Sequence, residues 1–316
     1  MNTALKNAVK AVDAKAQYDA HAKRLVGQKI ILAHILKRTV DEFKGMKPED
    51  IVECIEGVPY ISTVPVEPGL TNKVRQENGQ RIVGFNTENE EAGEGLIRFD
   101  IVFYVRMKDG LTQIIINVEA QKDDPTEYEI LNRAIFYVSR LISSQKERDF
   151  AKSAYDDIKR VYSIWICMNM NENSMSHIHL TKDDIIGSYD WKGKLDLLNI
   201  IMIGLAKELP EYNETYELHR LLGALLSKSL TIDEKLSIIG NEYNIPIKED
   251  FRKDMDTMCN LSQGIEDNGI AIGRAEGQAK IRQIILNMYK KGFTAEQITA
   301  VTEEKLEDVK SIIAGK

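Results

Sequence analysis

Asp100, Glu119 and Gln121 are the residues of this chain whose types and spacing most directly suggest chemistry. They lie in two segments rich in β-branched and aromatic residues, Leu96–Met107 (containing IRFDIVFYV) and Leu111–Gln121 (containing TQIIINVEAQ), which read as strands. Asp109-Gly110 between them is a strong short-range hairpin signal. Taken as a two-residue turn, it makes Lys108 face Leu111 and sets Asp100 directly opposite Glu119, with Gln121 on the same face. Cβ atoms so opposed are roughly 4.5–5.5 Å apart, and two like charges there destabilise a sheet unless a cation or proton lies between them. Paired carboxylates suit Mg²⁺ or Mn²⁺, hard cations that prefer oxygen ligands. The plainer reading is a solvent-facing hairpin whose acids confer solubility. It is weakened by Val102, Tyr104 and Ile115, which share that face and make it partly apolar.

The next segment, about Thr126 to Ser144, has the apolar period of a helix, with Ile130, Leu131, Ala134, Ile135, Val138, Leu141 and Ile142 as its stripe. Arg133, Tyr137, Arg140 and Ser144 fall in a narrow arc beside it. Arg133 and Arg140 could contact phosphate or orient a carboxylate, and Tyr137 could hydrogen-bond or stack. Upstream, a helix is predicted from about Lys29 to Phe43, with Glu42 on the rim of its buried stripe. That glutamate reads equally as a functional acid and as a snorkelling or capping carboxylate.

This order of segments resembles the PD-(D/E)XK nuclease superfamily. Asp100, a hairpin, Glu119-Ala120-Gln121 in a strand and Arg133-x-x-x-Tyr137 in the next helix carry the likeness. It is closer to the recombination-promoting nuclease and putative transposase branch, where Gln commonly replaces the superfamily's Lys. GEGLIRFDIVFYV, IINVEAQKD and YDDIKRVYSIWICMN look like that branch, and the likeness spans about Gln28 to Ile313. The resemblance implies an α/β fold with an αβββαβ core, a mixed central sheet flanked by helices, and cleavage of DNA through Mg²⁺ or Mn²⁺. It implies Asp100, Glu119 and the Ala120 carbonyl as metal ligands. Glu42 would be the first-helix acid that completes or orients the site, with Gln121 in the catalytic set and Arg133, Tyr137 and Arg140 toward substrate. Gln121 departs from the Lys: an amide positions a water or phosphate but supplies no positive charge. A nuclease-fold scaffold that binds DNA or protein without cutting is the alternative.

The surrounding elements divide the chain into an N-terminal helix (1–27), a nuclease-like core (28–205), a helical extension (206–263) and a glycine-punctuated connector with a terminal helical hairpin (264–316). Val161–Met168 is continuously apolar, as in a strand buried on both faces. Leu195–Leu205 and Leu218–Leu226 read as apolar helices, and Pro65 to Gly95 as loop with weak strands. Gly264, Gly269, Gly273 and Gly277 read as a flexible or loosely helical connector. Thr294 with Gln297 has capping-box spacing, and Thr302 is a second candidate N-cap.

A formal net charge of −7 disfavours a protein that coats nucleic acid by bulk electrostatics, yet Leu131–Arg160 carries a local basic excess. No apolar run approaches the roughly 20 residues that span a bilayer. Cys54, Cys167 and Cys259 form no CxxC pair, and the first 25 residues hold no apolar export core, so a cytoplasmic setting is expected. His177 and His179 have no ligand partner near in sequence and read as an ordinary strand or loop pair, while Trp165 and Trp191 read as core or rim. No P-loop or nucleophile elbow is present. Acids at the start of the last helix would repel phosphate, so the terminal hairpin is expected to serve protein–protein contact or self-association.

Overall fold

Strand-forming runs joined by amphipathic helices build an α/β protein whose centre is one mixed sheet. In this computed structural model, residues 17–18, 20–65, 75–77, 80–82, 98–107, 110–119, 128–146 and 150–315 are described. The side chains at 60–65, 75–77, 80–82, 98–100, 111, 113–119, 262–269, 271–272 and 276 are outside that description. In chain order the elements begin α1 (Lys29–Thr39), α2 (Pro48–Val52), β1 (Ile55–Pro65), β2 (Arg75–Glu77) and β3 (Gln80–Ile82). They continue β4 (Arg98–Met107), β5 (Gly110–Glu119), α3 (Ile130–Ser143), β6 (Val161–Met170), β7 (Ser174–His179) and β8 (Leu198–Ala206). Then come α4 (Glu217–Leu226), α5 (Ile232–Ser237), α6 (Glu249–Lys290), α7 (Ala295–Thr302) and α8 (Leu306–Ala314).

The six-stranded sheet has the order β1-β4-β5-β6-β8-β7, and β2 pairs with β3 apart from it. β1, β4 and β5 form an antiparallel meander, β5, β6 and β8 run parallel, and β7 returns antiparallel at the edge. A parallel neighbour needs a crossover, and α3 supplies it between β5 and β6. One face of the sheet buries Val102, Val161, Trp165, Cys167 and Ile200 under Ala134, Tyr137, Val138 and Leu141 of α3. The other face presents Ile101, Phe103, Val105, Ile164, Ile166, Ile201 and Ile203, all buried as well. Each such aliphatic side chain contributes roughly 1.5–3 kcal/mol on full burial, so the strands need apolar residues at successive positions. α4 packs beside β8, and α1 packs against α2 and α4.

Burial on both faces explains a departure from the sequence reading. Leu195–Leu205 contains strand β8, not a helix, because an apolar run without polar alternation does not distinguish the two. α1 ends at Thr39, Val40 is extended, and Asp41–Phe43 form a separate 3-10 turn, so Glu42 is not on that helix. The last predicted cap also moves. Thr294 and Gln297 do form a capping box, but Thr302 closes α7 and Lys305 precedes α8, because Glu303 turns left-handed between them.

Residues 17–259 form one compact unit, taking in the sheet and the helices through the start of α6; residues from 260 onward belong to a second. In the second, Ile285, Ile298 and Val309 meet in a small core. The backbone of 264–277 is helical within α6. Among the described residues no helix is long and apolar enough to cross a membrane. The connection from β7 to β8, residues 180–197, is held internally by Lys182 Nζ donating to the Tyr189 carbonyl (2.8 Å) and by the Tyr189 and Trp191 rings at 4.9 Å. It nevertheless holds Ile185, Ile186 and Trp191 out to solvent.

His34 of α1 is 6% exposed, its Nε2 has no hydrogen-bond partner among the described residues, and its ring meets Tyr243 edge-on at 5.6 Å. Burial, opposed by the nearby Glu217 carboxylate, lowers its pKa from 6.5 to about 4. The unfolded chain therefore binds a proton near pH 6.5 that the folded chain refuses until about pH 4. This contribution to stability is complete above pH 6.5 and lost as pH falls towards 4, roughly 3 kcal/mol in all. Urea unfolding followed from pH 7 to 4 is expected to show it, and His34→Leu should remove about one proton's worth of that slope.

Candidate functional site

The β4–β5 ladder fixes where the two acidic positions stand. Its pairs run without a bulge from Met107↔Gly110 to Ile101↔Ile116. This corrects the predicted register by two residues. Gly110, with φ +117, opens β5 instead of sitting in the turn, so the connection moves to Lys108 and Asp109, outside the described residues. The same register, continued past its last pair Ile101↔Ile116, would set Asn117 opposite Asp100 and Glu119 opposite Arg98. Asp100 and Glu119 are therefore not directly opposed. A two-residue shift preserves the face, however, so both positions remain on one side of the sheet as diagonal neighbours, roughly 7–8 Å apart. Their side chains are outside the described residues, as are Ala120 and Gln121 altogether.

That side is the one α3 covers. Val102 follows Asp100 by two in β4, and Glu119 pairs with Cys167 in β6; Val102 and Cys167 belong to the cluster beneath α3. Asn117 pairs with Trp165 of the same cluster. The acidic positions thus stand at the carboxyl end of the parallel strands, at the margin of a dry core. The first half of α3 brings Arg133 to the same end. Its Nε donates to the Tyr137 hydroxyl and its Nη1 to the Tyr128 hydroxyl, both at 3.0 Å. Its guanidinium carbon lies 5.1 Å from the Tyr137 ring centroid and 5.6 Å from those of Tyr128 and Trp165. A guanidinium among three aromatic faces is attracted by their quadrupoles, by roughly 0.5–2 kcal/mol each.

Tyr137 is 8% exposed and its ring is 5.7 Å from that of Trp165. It is a core residue that orients Arg133, not an exposed surface for stacking a base. Ser144 is fully buried and donates to the Leu141 carbonyl at 2.9 Å, closing the helix. Arg140 is two turns beyond Arg133, about 10 Å further along α3 and away from the acidic end.

Glu42 does not join Asp100 and Glu119. Its Oε2 accepts from Arg160 Nη1 at 3.2 Å, and Arg160 also pairs with Asp196. Arg160 immediately precedes β6, whereas Glu119 pairs with Cys167 six residues along that strand, roughly 20 Å away at the opposite end of the sheet. Glu42 takes part instead in a Glu42–Arg160–Asp196 ion cluster at that opposite end. Sequence reading missed this cluster, and it missed Asn169 and His219. The polar run MNMNEN after a buried strand was the available signal for Asn169.

His177 and His179 sit on edge strand β7, with ring centroids 4.7 Å apart and His177 Nε2 3.0 Å from Asn199 Oδ1. Among the described residues no group of three or more His, Cys, Asp or Glu stands ready to hold a metal. Comparison with known proteins returns no matching family model, no matching curated protein and no matching solved structure.

Breaking the ion cluster tests the reassignment of Glu42. Glu42→Gln is expected to lower stability by about 1–2 kcal/mol, since it strips one partner from a half-buried pair. It should leave any Mn²⁺-induced rise in melting temperature intact. A tenfold loss of Mn²⁺ affinity would return Glu42 to the acidic centre.

Proposed function

We propose that this chain is a divalent-metal-dependent nuclease of the PD-(D/E)XK type, hydrolysing phosphodiester bonds in DNA. The single observation that carries the reading is the β4–β5 register, which, extended to the strand ends, would give the Asp100 and Glu119 positions one face and one sheet end, the end to which α3 brings the aromatic-held charge of Arg133. With the short α2 and the separate β2–β3 pair set aside, the remaining order α1, β1, β4, β5, α3, β6 agrees with the αβββαβ succession the resemblance calls for. Two carboxylate residues at diagonal positions, followed by a backbone carbonyl at Ala120, are hard oxygen donors and fit Mg²⁺ or Mn²⁺. Such an ion, when bound, lowers the pKa of a coordinated water and neutralises charge on the scissile phosphate.

The chain's own residues would divide the remaining work. Asp100 and Glu119 hold the ion, and Gln121 orients a water or a phosphate oxygen through its amide. Arg133, fixed by Tyr137 and Trp165, supplies the positive charge that Gln121 lacks. Tyr137 acts through Arg133, and Arg140 reaches the DNA backbone further along the helix. The glutamine in place of lysine favours one second reading, a fold that binds metal and DNA but cuts slowly or not at all.

Purified protein incubated with supercoiled, linear and single-stranded DNA plus Mg²⁺ or Mn²⁺ separates these readings. Cleavage is expected, lost in Glu119→Ala and reduced roughly tenfold or more in Arg133→Ala, as when a transition-state charge partner is removed. Mn²⁺ should also raise the melting temperature of the wild-type chain but not of Asp100→Ala. A metal-dependent rise without cleavage assigns the inactive binder; no metal response at all removes the nuclease reading.

A further inference from the structure

A cavity of about 420 Å³ lies where β6 and β8 end, enclosed partly by α4 and lined by Met168, Asn169, Leu205, His219, Gly223 and Leu226 among others. That volume falls in the range of small-molecule sites, and the carboxyl ends of parallel strands are where open α/β sheets receive ligands. Three features of its lining are not accounted for by folding alone.

The β6–β8 ladder is regular up to Cys167↔Gly204 and then shifts register before Met170↔Ala206. Within the shift Asn169, near the end of β6, adopts φ +60, a left-handed conformation. Bulges of this kind re-aim a side chain and recur beside functional sites. The second feature is the amide of Asn169: its Nδ2 is buried and has no hydrogen-bond partner among the described residues. The third is His219, 3% exposed, whose Nε2 donates to the Ser174 carbonyl at 2.9 Å. With the ring proton on Nε2, Nδ1 is an acceptor, and it too is buried without a partner. A buried polar group without a partner is destabilising, so two around one cavity are a costly arrangement unless something occupies it.

We propose that this cavity is a second binding site, distinct from the acidic centre, for the edge of a nucleobase. A nucleobase edge presents an N–H donor next to an oxygen or nitrogen acceptor. The donor would meet His219 Nδ1 and the acceptor Asn169 Nδ2, while Met168, Leu205 and Leu226 receive the flat apolar ring. The site rests on the cavity and its two unmatched polar atoms, and it stands whether or not the chain cleaves DNA.

Calorimetry or saturation-transfer resonance on the full chain tests this, in EDTA, with cytidine and guanosine as probes and ribose as the control. Saturable binding of at least one nucleoside is expected, with none for ribose. Asn169→Asp keeps the side-chain volume and tolerates the left-handed backbone but removes the donor. It should weaken cytidine and guanosine binding roughly tenfold or more, with the melting curve showing a folded protein. His219→Phe should abolish binding; if that variant fails to fold, Asn169→Asp decides alone. Absence of saturable nucleoside binding, equal binding of ribose, or affinity unchanged in Asn169→Asp each overturns the proposal.

Discussion

The unbroken hydrogen-bond ladder between β4 and β5 fixes the placement on which the candidate centre depends. Seven consecutive pairs from Met107↔Gly110 to Ile101↔Ile116 leave no slack by which either strand could slide. A slip of one residue would turn Val102 away from α3 and expose it, so packing under the helix enforces the register from outside. The acidic positions inherit their common face from that constraint. The chemistry proposed for them is thereby tied to the burial of valines and isoleucines several residues away.

Arg133 shows the same dependence from the helix side. Tyr137 and Trp165 are core residues, yet their ring faces and the Tyr137 hydroxyl are what fix a guanidinium at the margin of the core. Trp165 is itself pinned by its indole N–H donating to Ser163 Oγ at 2.9 Å. A positive charge is therefore positioned by apolar packing and two phenols. At the far end of the sheet, Arg160 is fixed by the carboxylates of Glu42 and Asp196 instead.

The strands that build the sheet centre were legible because their residues alternate or run apolar in lengths too short for a helix. β4, β5 and β6 are such cases. β8 was not, since a leucine- and isoleucine-rich run buried on both sides has no period to read. The hairpin was recognisable but its register was not: Asp109-Gly110 signals a turn, and where the glycine's positive φ is used depends on the whole ladder. Arg133 was singled out by its helical position, whereas the burial of its partner Tyr137 depends on how α3 settles on β6. Glu42 was misjudged because the helix stops at Thr39 and an extended Val40 redirects the chain. Asn169 and His219 are fifty residues apart, and their meeting around one cavity is a product of tertiary structure alone.

The segment 180–197 joins β7 to β8, which are antiparallel neighbours held by a ladder from Ser174↔Gly204 to His179↔Asn199. Its covalent continuity therefore adds little to the pairing it spans. A protease that nicked the exposed Ile185-Ile186 tip would leave two fragments still zipped together along that ladder. Both new ends would lie at the amino-terminal edge of β8, away from the acidic end.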